Sequence, residues 1–131
     1  MFLELKAVDG IDPEIEAHIR LITSVKYTIP MHSHDFYEFF LILKGKVIHC
    51  VNGKKQLLEE NSLVFIRERD VHCYEYADDT DCQFINVSFY RDVLDSLFLY
   101  LGEGFPKESL LSPEFPPCCC AIKAGKRIDP K

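Results

Sequence analysis

From Ile19 to about Phe89 the chain is a succession of short apolar runs interrupted by turn signals, and no other feature constrains its fold as tightly. Runs of this length, rich in Val, Ile, Phe and Tyr, predict an all-β sandwich or barrel. Strands are expected over roughly 18–29, 36–44, 46–51, 54–58, 63–67, 71–76 and 82–89. Asn52-Gly53 between two such runs is the sharpest hairpin signal, because both turn residues must tolerate positive φ. Lys44-Gly45 and the cluster Glu59-Glu60-Asn61-Ser62 mark further turns.

After Phe89 the period changes. In RDVLDSLFLYLG the residues Val93, Leu94, Leu97, Phe98 and Leu101 follow helical spacing, with Asp92 as the expected N-cap and Gly102 as the stop. Prolines at 106, 113, 116 and 117 argue against a long regular element beyond. The chain of 131 residues is about one domain long. It divides into a lead-in (1–17), a β-domain (18–90), a C-terminal helix (91–102) and an irregular tail (103–131).

Composition excludes several classes. With 47% apolar and 27% charged residues, a packed core is expected rather than disorder. A formal net charge of -6 speaks against nucleic-acid binding by this chain's own surface, which would rely on Lys and Arg; the short basic ending KAGKRIDPK does not reverse that. No secretory leader is recognised, and no apolar run approaches the roughly 20 residues of a membrane span, so a cytoplasmic location is expected. There is no Cys-x-x-Cys pair among the six cysteines. Cys50, Cys73 and Cys82, inside strand-like segments, are expected to be free buried thiols, and Cys118, Cys119 and Cys120 a frayed tail feature unless they bind a soft metal or cross-link.

The chemistry concentrates in HSHDFYEFFLILKG, residues 32–45. Strand side chains alternate, so His32, His34, Phe36, Glu38, Phe40 and Ile42 share one parity if the strand is unbroken. Two imidazoles and a carboxylate can then hold one side of a transition-metal ion and leave other positions open; zinc accepts the same donors. Alternatively they line a polar ligand pocket. Tyr37, Phe39, Leu41 and Leu43 on the other parity are apolar too, which requires cover on both faces. His72 is a fourth candidate, with Tyr74 and Tyr76 on its parity, while His18 and His49 read as surface or packing residues.

The chain resembles a cupin. His-x-His, a Glu four residues on and a Gly further along match His32, His34, Glu38 and Gly45 of the first cupin motif, and LVFIRERDVH supplies His72 for the second. The resemblance implies a double-stranded β-helix barrel (jelly roll) with His32, His34, Glu38 and His72 as ligands of a divalent transition metal: zinc, iron, nickel or manganese. The second motif departs from the family at Asn61, Arg67 and Arg69, where Gly, Pro and Gly are usual. The two arginines are expected to be solvated, or else to face an anionic ligand.

Within cupins, HSHDFYEFFLILKGKV, VNGKKQLLEENSLVFIRERDVH and FINVSF leading into the helix are similar to the N-terminal sensing domain of AraC-type transcription regulators, over roughly residues 18–102. The resemblance implies an effector-sensing and dimerisation domain whose DNA-binding helix-turn-helix units are absent here. The expected partner is a small molecule, a sugar first, held by the metal cluster with Phe36, Phe40, Tyr74 and Tyr76 as apolar platforms. Leu94, Leu97, Phe98 and Leu101 are the expected homodimer contact, unless the helix docks on its own barrel. A small metal-dependent cupin enzyme, an oxygenase or isomerase, is the competing reading.

Overall fold

The computed structural model describes residues 3–6 and 17–120. In chain order the elements are β1 (Leu3–Leu5), β2 (Ala17–Ile22), β3 (His32–His34), β4 (Tyr37–Gly45), β5 (Val47–Val51), β6 (Lys54–Leu58), β7 (Ser62–Ile66), β8 (His72–Tyr76), β9 (Cys82–Phe89), α1 (Arg91–Leu101), α2 (Glu108–Leu111) and β10 (Cys118–Cys120). They form two five-stranded sheets, ordered β1-β3-β8-β5-β6 and β10-β7-β4-β9-β2. This is the all-β, two-sheet jelly roll expected of a cupin.

The interior is made by the facing parities of both sheets. Phe40 and Ile42 of β4, Val64 and Ile66 of β7 and Phe84 of β9 pack against Val47 of β5 and Leu58 of β6. Phe40, Ile42, Val47, Val64 and Ile66 are completely buried. On the outer face of the second sheet, Tyr37, Phe39, Phe65, Val87 and Phe89 lie beneath Val93, Leu94 and Phe98 of α1 and Leu110 and Leu111 of α2. β4 is therefore apolar on both parities because helices cover the side that faces away from the barrel.

Several turns follow the expected chemistry. Asn52 and Gly53 both have positive φ, 50° and 82°, and join β5 to β6 in a tight hairpin. Gly45 ends β4 at φ 75°, and a Cβ there would run into the Asp81 carbonyl oxygen. Glycine is required by both backbone and space. Gly102 closes α1 at φ 84°, its N–H donating to the Phe98 carbonyl.

The structure corrects other expectations. β2 stops at Ile22 instead of running to residue 29, because Ser24 caps a 3-10 turn over Val25–Tyr27. Asp81 fixes that turn: it accepts from Ser24 Oγ at 2.6 Å and from the Val25 N–H at 2.9 Å. The N-cap of α1 is Tyr90, not Asp92, which sits in the first turn where its charge suits the helix dipole. Within the expected lead-in, Leu3–Leu5 pairs in parallel with β3.

Nor is the tail irregular where it is described. It contains α2, and β10 pairs antiparallel with β7, matching Cys118 with Val64 and Cys119 with Leu63. The CCC run is thus a strand on an otherwise open sheet edge, while the basic ending 123–131 lies outside the described residues. What holds the tail is Arg67, expected in solvent but only 2% exposed. Its guanidinium pairs with Asp70 at 2.7 Å and donates to the carbonyls of Leu110 and Pro113, each at 2.7 Å. Arg69 donates to Ser112 and Pro113 carbonyls. The carbonyls around Pro113 thus anchor the segment between these two short elements.

Cys50 and Cys82 are buried free thiols as expected, and Cys73 is half-buried. Burial, with Cys73 beside it, pushes the Cys50 thiol up to about 12, and burial pushes Cys82 up to about 11.

Candidate metal centre

The parity argument for His32, His34 and Glu38 assumed one continuous strand, and the strand is broken. His32 and His34 belong to β3 in the first sheet, Glu38 to β4 in the second. The chain crosses between sheets at Asp35–Phe36, where the Asp35 N–H donates to the Leu5 carbonyl at 3.0 Å. The crossing brings the donors toward one another from opposite walls. His72 arrives on β8, its Cα directly opposite His32 in the β3–β8 ladder.

One donor atom from each of His32, His34, Glu38 and His72 lies within 4.8 Å of every other. All four residues are buried. Glu38 Oε1 is 3.2 Å from His34 Nε2 and 3.5 Å from His72 Nε2. Neither of those buried nitrogens has a hydrogen-bond partner of acceptable geometry. Buried polar atoms are rarely left so, and here they converge on one point.

The far sides of the rings explain which atoms are free. His32 Nδ1 is 2.8 Å from the Pro30 carbonyl and His34 Nδ1 is 2.7 Å from the Phe36 carbonyl. A carbonyl only accepts, so both Nδ1 atoms carry hydrogen and donate, and in the neutral rings the Nε2 lone pairs face the cluster. For His72 the same service comes from another histidine: His49 Nε2 lies 2.8 Å from His72 Nδ1. The sequence reads His49 as a surface or packing residue. It is a completely buried residue that orients a donor. Glu38 Oε2 accepts from Asn86 Nδ2 and Ser88 Oγ, both at 3.3 Å.

Electrostatics act on the set in both directions. Burial, reinforced by His72, lowers His32 to about 4, and burial holds His49 well below its usual range. Burial also opposes charge on Glu38, but the facing His34 and His72 imidazoles outweigh it and hold the carboxyl well below the usual carboxylate range. His34 is raised despite burial, because the Glu38 carboxylate stabilises its proton. A buried carboxylate facing imidazole nitrogens can be met by a proton on His34 or by a shared metal cation. Three imidazoles and one carboxylate with hydrogen-bonded outer partners fit a divalent transition metal.

Above the cluster a small solvent-open cleft, with about 70 Å³ of room, is lined by His32, Glu38, Phe36 and Tyr74, together with Arg20, Tyr27, Thr28, Asn86 and Ser88. Of the four expected platforms, Phe36 and Tyr74 line it. Phe40 lies in the core beside His49 and Phe84, and Tyr76, 47% exposed, is outside the cleft. Asn86 and Ser88 were legible as polar residues on the inward parity of FINVSF; Arg20 and Tyr27 carried no signal. Of the expected dimer residues, Leu94 is buried and Phe98 half-buried against the second sheet, while Leu97 and Leu101 are exposed beside Leu99 and Tyr100.

Residues 17–118 match the family model described as the AraC-like ligand binding domain. The chain is 38% identical over 50 residues to the HTH-type transcriptional activator RhaS of Yersinia pestis, a match covering 38% of this chain and 18% of that protein. The matched stretch thus spans about a fifth of the length of that curated relative. Among solved structures it is similar to a cupin protein from Bacteroides fragilis, with 21% identity and a TM-score of 0.53 over 59% of this chain and 68% of the other. The polyketide cyclase RemF from Streptomyces resistomycificus aligns with 17% identity and a TM-score of 0.50, over 65% and 60% of the two chains. At such identities these neighbours speak for the fold alone.

Proposed function

Since the chain belongs to the AraC-like ligand binding domain family, we propose that it is the effector-sensing part of a transcription regulator, reading a sugar through a divalent metal inside the barrel. The observation that supports the metal is the pair of buried Nε2 atoms of His34 and His72 that converge on Glu38 without a hydrogen bond of acceptable geometry. His32, His34, Glu38 and His72 would hold the ion, and when bound it supplies a Lewis-acidic contact for sugar hydroxyls. Phe36 and Tyr74 offer ring faces beside it, and Asn86, Ser88 and Arg20 offer polar contacts at the cleft wall.

Signalling requires a ligand that distinguishes two states of the protein. The exposed residues Leu97, Leu99, Tyr100 and Leu101 of α1 support a homodimer contact, and α1 follows directly on β9, which carries Asn86 and Ser88. DNA contact is assigned to helix-turn-helix units outside these residues, and the working location is the cytoplasm. No described helix is long and apolar enough to cross a membrane.

Metal analysis of protein purified without a histidine tag, compared with a His34→Ala/Glu38→Ala variant, tests the centre. Equal metal in both ends the metal reading. Thermal shift against a panel of mono- and disaccharides tests the effector; a rise confined to one sugar class and lost in the double variant is expected. The second reading, a metal-dependent cupin oxygenase or isomerase, draws on the cleft that reaches the cluster from solvent. Steady turnover by the metal-loaded protein would favour it.

A further inference from the structure

A second cluster of donors lies on the other face of the strands that carry His49 and His72. Cys50 of β5 and Cys73 of β8 are directly opposed in the antiparallel ladder. Glu75, two residues on from Cys73, returns to the same face. One atom from each, the two sulfurs and a carboxylate oxygen, lies within 4.8 Å of the others. We propose that Cys50, Cys73 and Glu75 form a second metal site, independent of the histidine cluster, that takes a thiophilic divalent ion such as Zn²⁺ or Cd²⁺.

The donor chemistry separates the two sites. Imidazole and carboxylate suit several first-row metals, whereas paired thiolates select soft ions. Three protein donors leave a position for solvent, as in open zinc sites. Binding displaces one proton from each thiol to solvent, and no electron changes hands. Two thiolates and a carboxylate leave one net negative charge on a divalent ion. Lys55 answers that charge: it is the register partner of Cys50 on β6, and its ammonium lies 3.1 Å from Glu75 Oε1. The site is also reachable, since Cys50 is buried beneath a half-buried Cys73 and an exposed Glu75.

The test is titration of the reduced full chain with Cd²⁺, following the ultraviolet thiolate-to-cadmium charge-transfer band. One equivalent should produce the band in the wild type, in His32→Ala/His34→Ala, and in Cys82→Ser/Cys118→Ser/Cys119→Ser/Cys120→Ser. It should vanish in Cys50→Ser/Cys73→Ser, and Glu75→Gln should weaken binding about tenfold. Should the double serine variant misfold, alkylation of wild-type Cys50 and Cys73 with iodoacetamide supplies the readout, and stoichiometric Cd²⁺ should protect both. No band in the wild type, a band that survives Cys50→Ser/Cys73→Ser, or unprotected thiols overturns the proposal. None of these outcomes bears on the sugar or on the histidine cluster.

Discussion

Phe84 and Asn86 stand two residues apart on β9 and face the same interior, yet they belong to ends of the barrel built on opposite terms. Around Phe84 the walls are Phe40, Ile42, Val64 and Ile66, and the polar neighbour is Tyr74, whose ring stacks on that of Phe84. Around Asn86 they are Glu38, Ser88 and His32, and the Asn86 Oδ1, His34 Nε2 and His72 Nε2 atoms are buried without hydrogen-bond partners. The apolar end stabilises the fold, which lets the polar end keep groups poised for a ligand at a cost in stability. The two ends should therefore respond to mutation in different observables.

Phe84→Ala should cost about 3–5 kcal/mol in urea unfolding, by lost burial and a residual cavity, while metal per folded molecule stays the same. Loss of metal from the folded fraction would show that the ends are coupled. Glu38→Gln should do the reverse: metal affinity falls more than about a hundredfold, while the stability of the metal-free protein holds or rises as a buried charge is removed. Isothermal titration and unfolding on the same sample separate the two effects. His49→Leu should lower metal affinity by about 10- to 100-fold through misorientation of His72, with the fold intact; an unchanged affinity would return His49 to mere packing.

The smallest effect concerns Asp81, which ties the 3-10 turn to β9 at the apolar end. Its carboxyl is held below its usual value first by the Ser24 hydroxyl and then by the Val25 N–H. A folded pKa below the unfolded one means the contribution is complete above about pH 4 and is lost as pH falls through the folded value. Asp81→Asn should flatten that acid limb of the stability profile without touching metal affinity at neutral pH.

The strands from Tyr37 to Phe89 were legible because alternation and the Asn52-Gly53 turn are local signals, and the boundaries fall within a residue or two. Strands β1, β3 and β10 were not, because three residues carry no period and owe their conformation to a neighbouring edge. The donor set was readable as a motif, but its geometry was not: the sheet crossing at Asp35–Phe36 is a tertiary event. His49 and Arg67 escaped for the same reason. Their meaning lies in His72, 23 residues away, and in the carbonyls of 110 and 113, more than 40 residues away.

The position of β9 sets an order of events during synthesis. β2 has β9 as its partner, and β4 lies between β7 and β9. Until residues 82–89 leave the ribosome, β2 has no ladder to join and β4 has one side bare. Pairing across such sequence distances is slow and leaves strand edges open in the meantime. Ser88 and Asn86, which orient Glu38, also arrive with this strand. The donors from 32 to 72 are therefore all synthesised well before the strand that completes their surroundings.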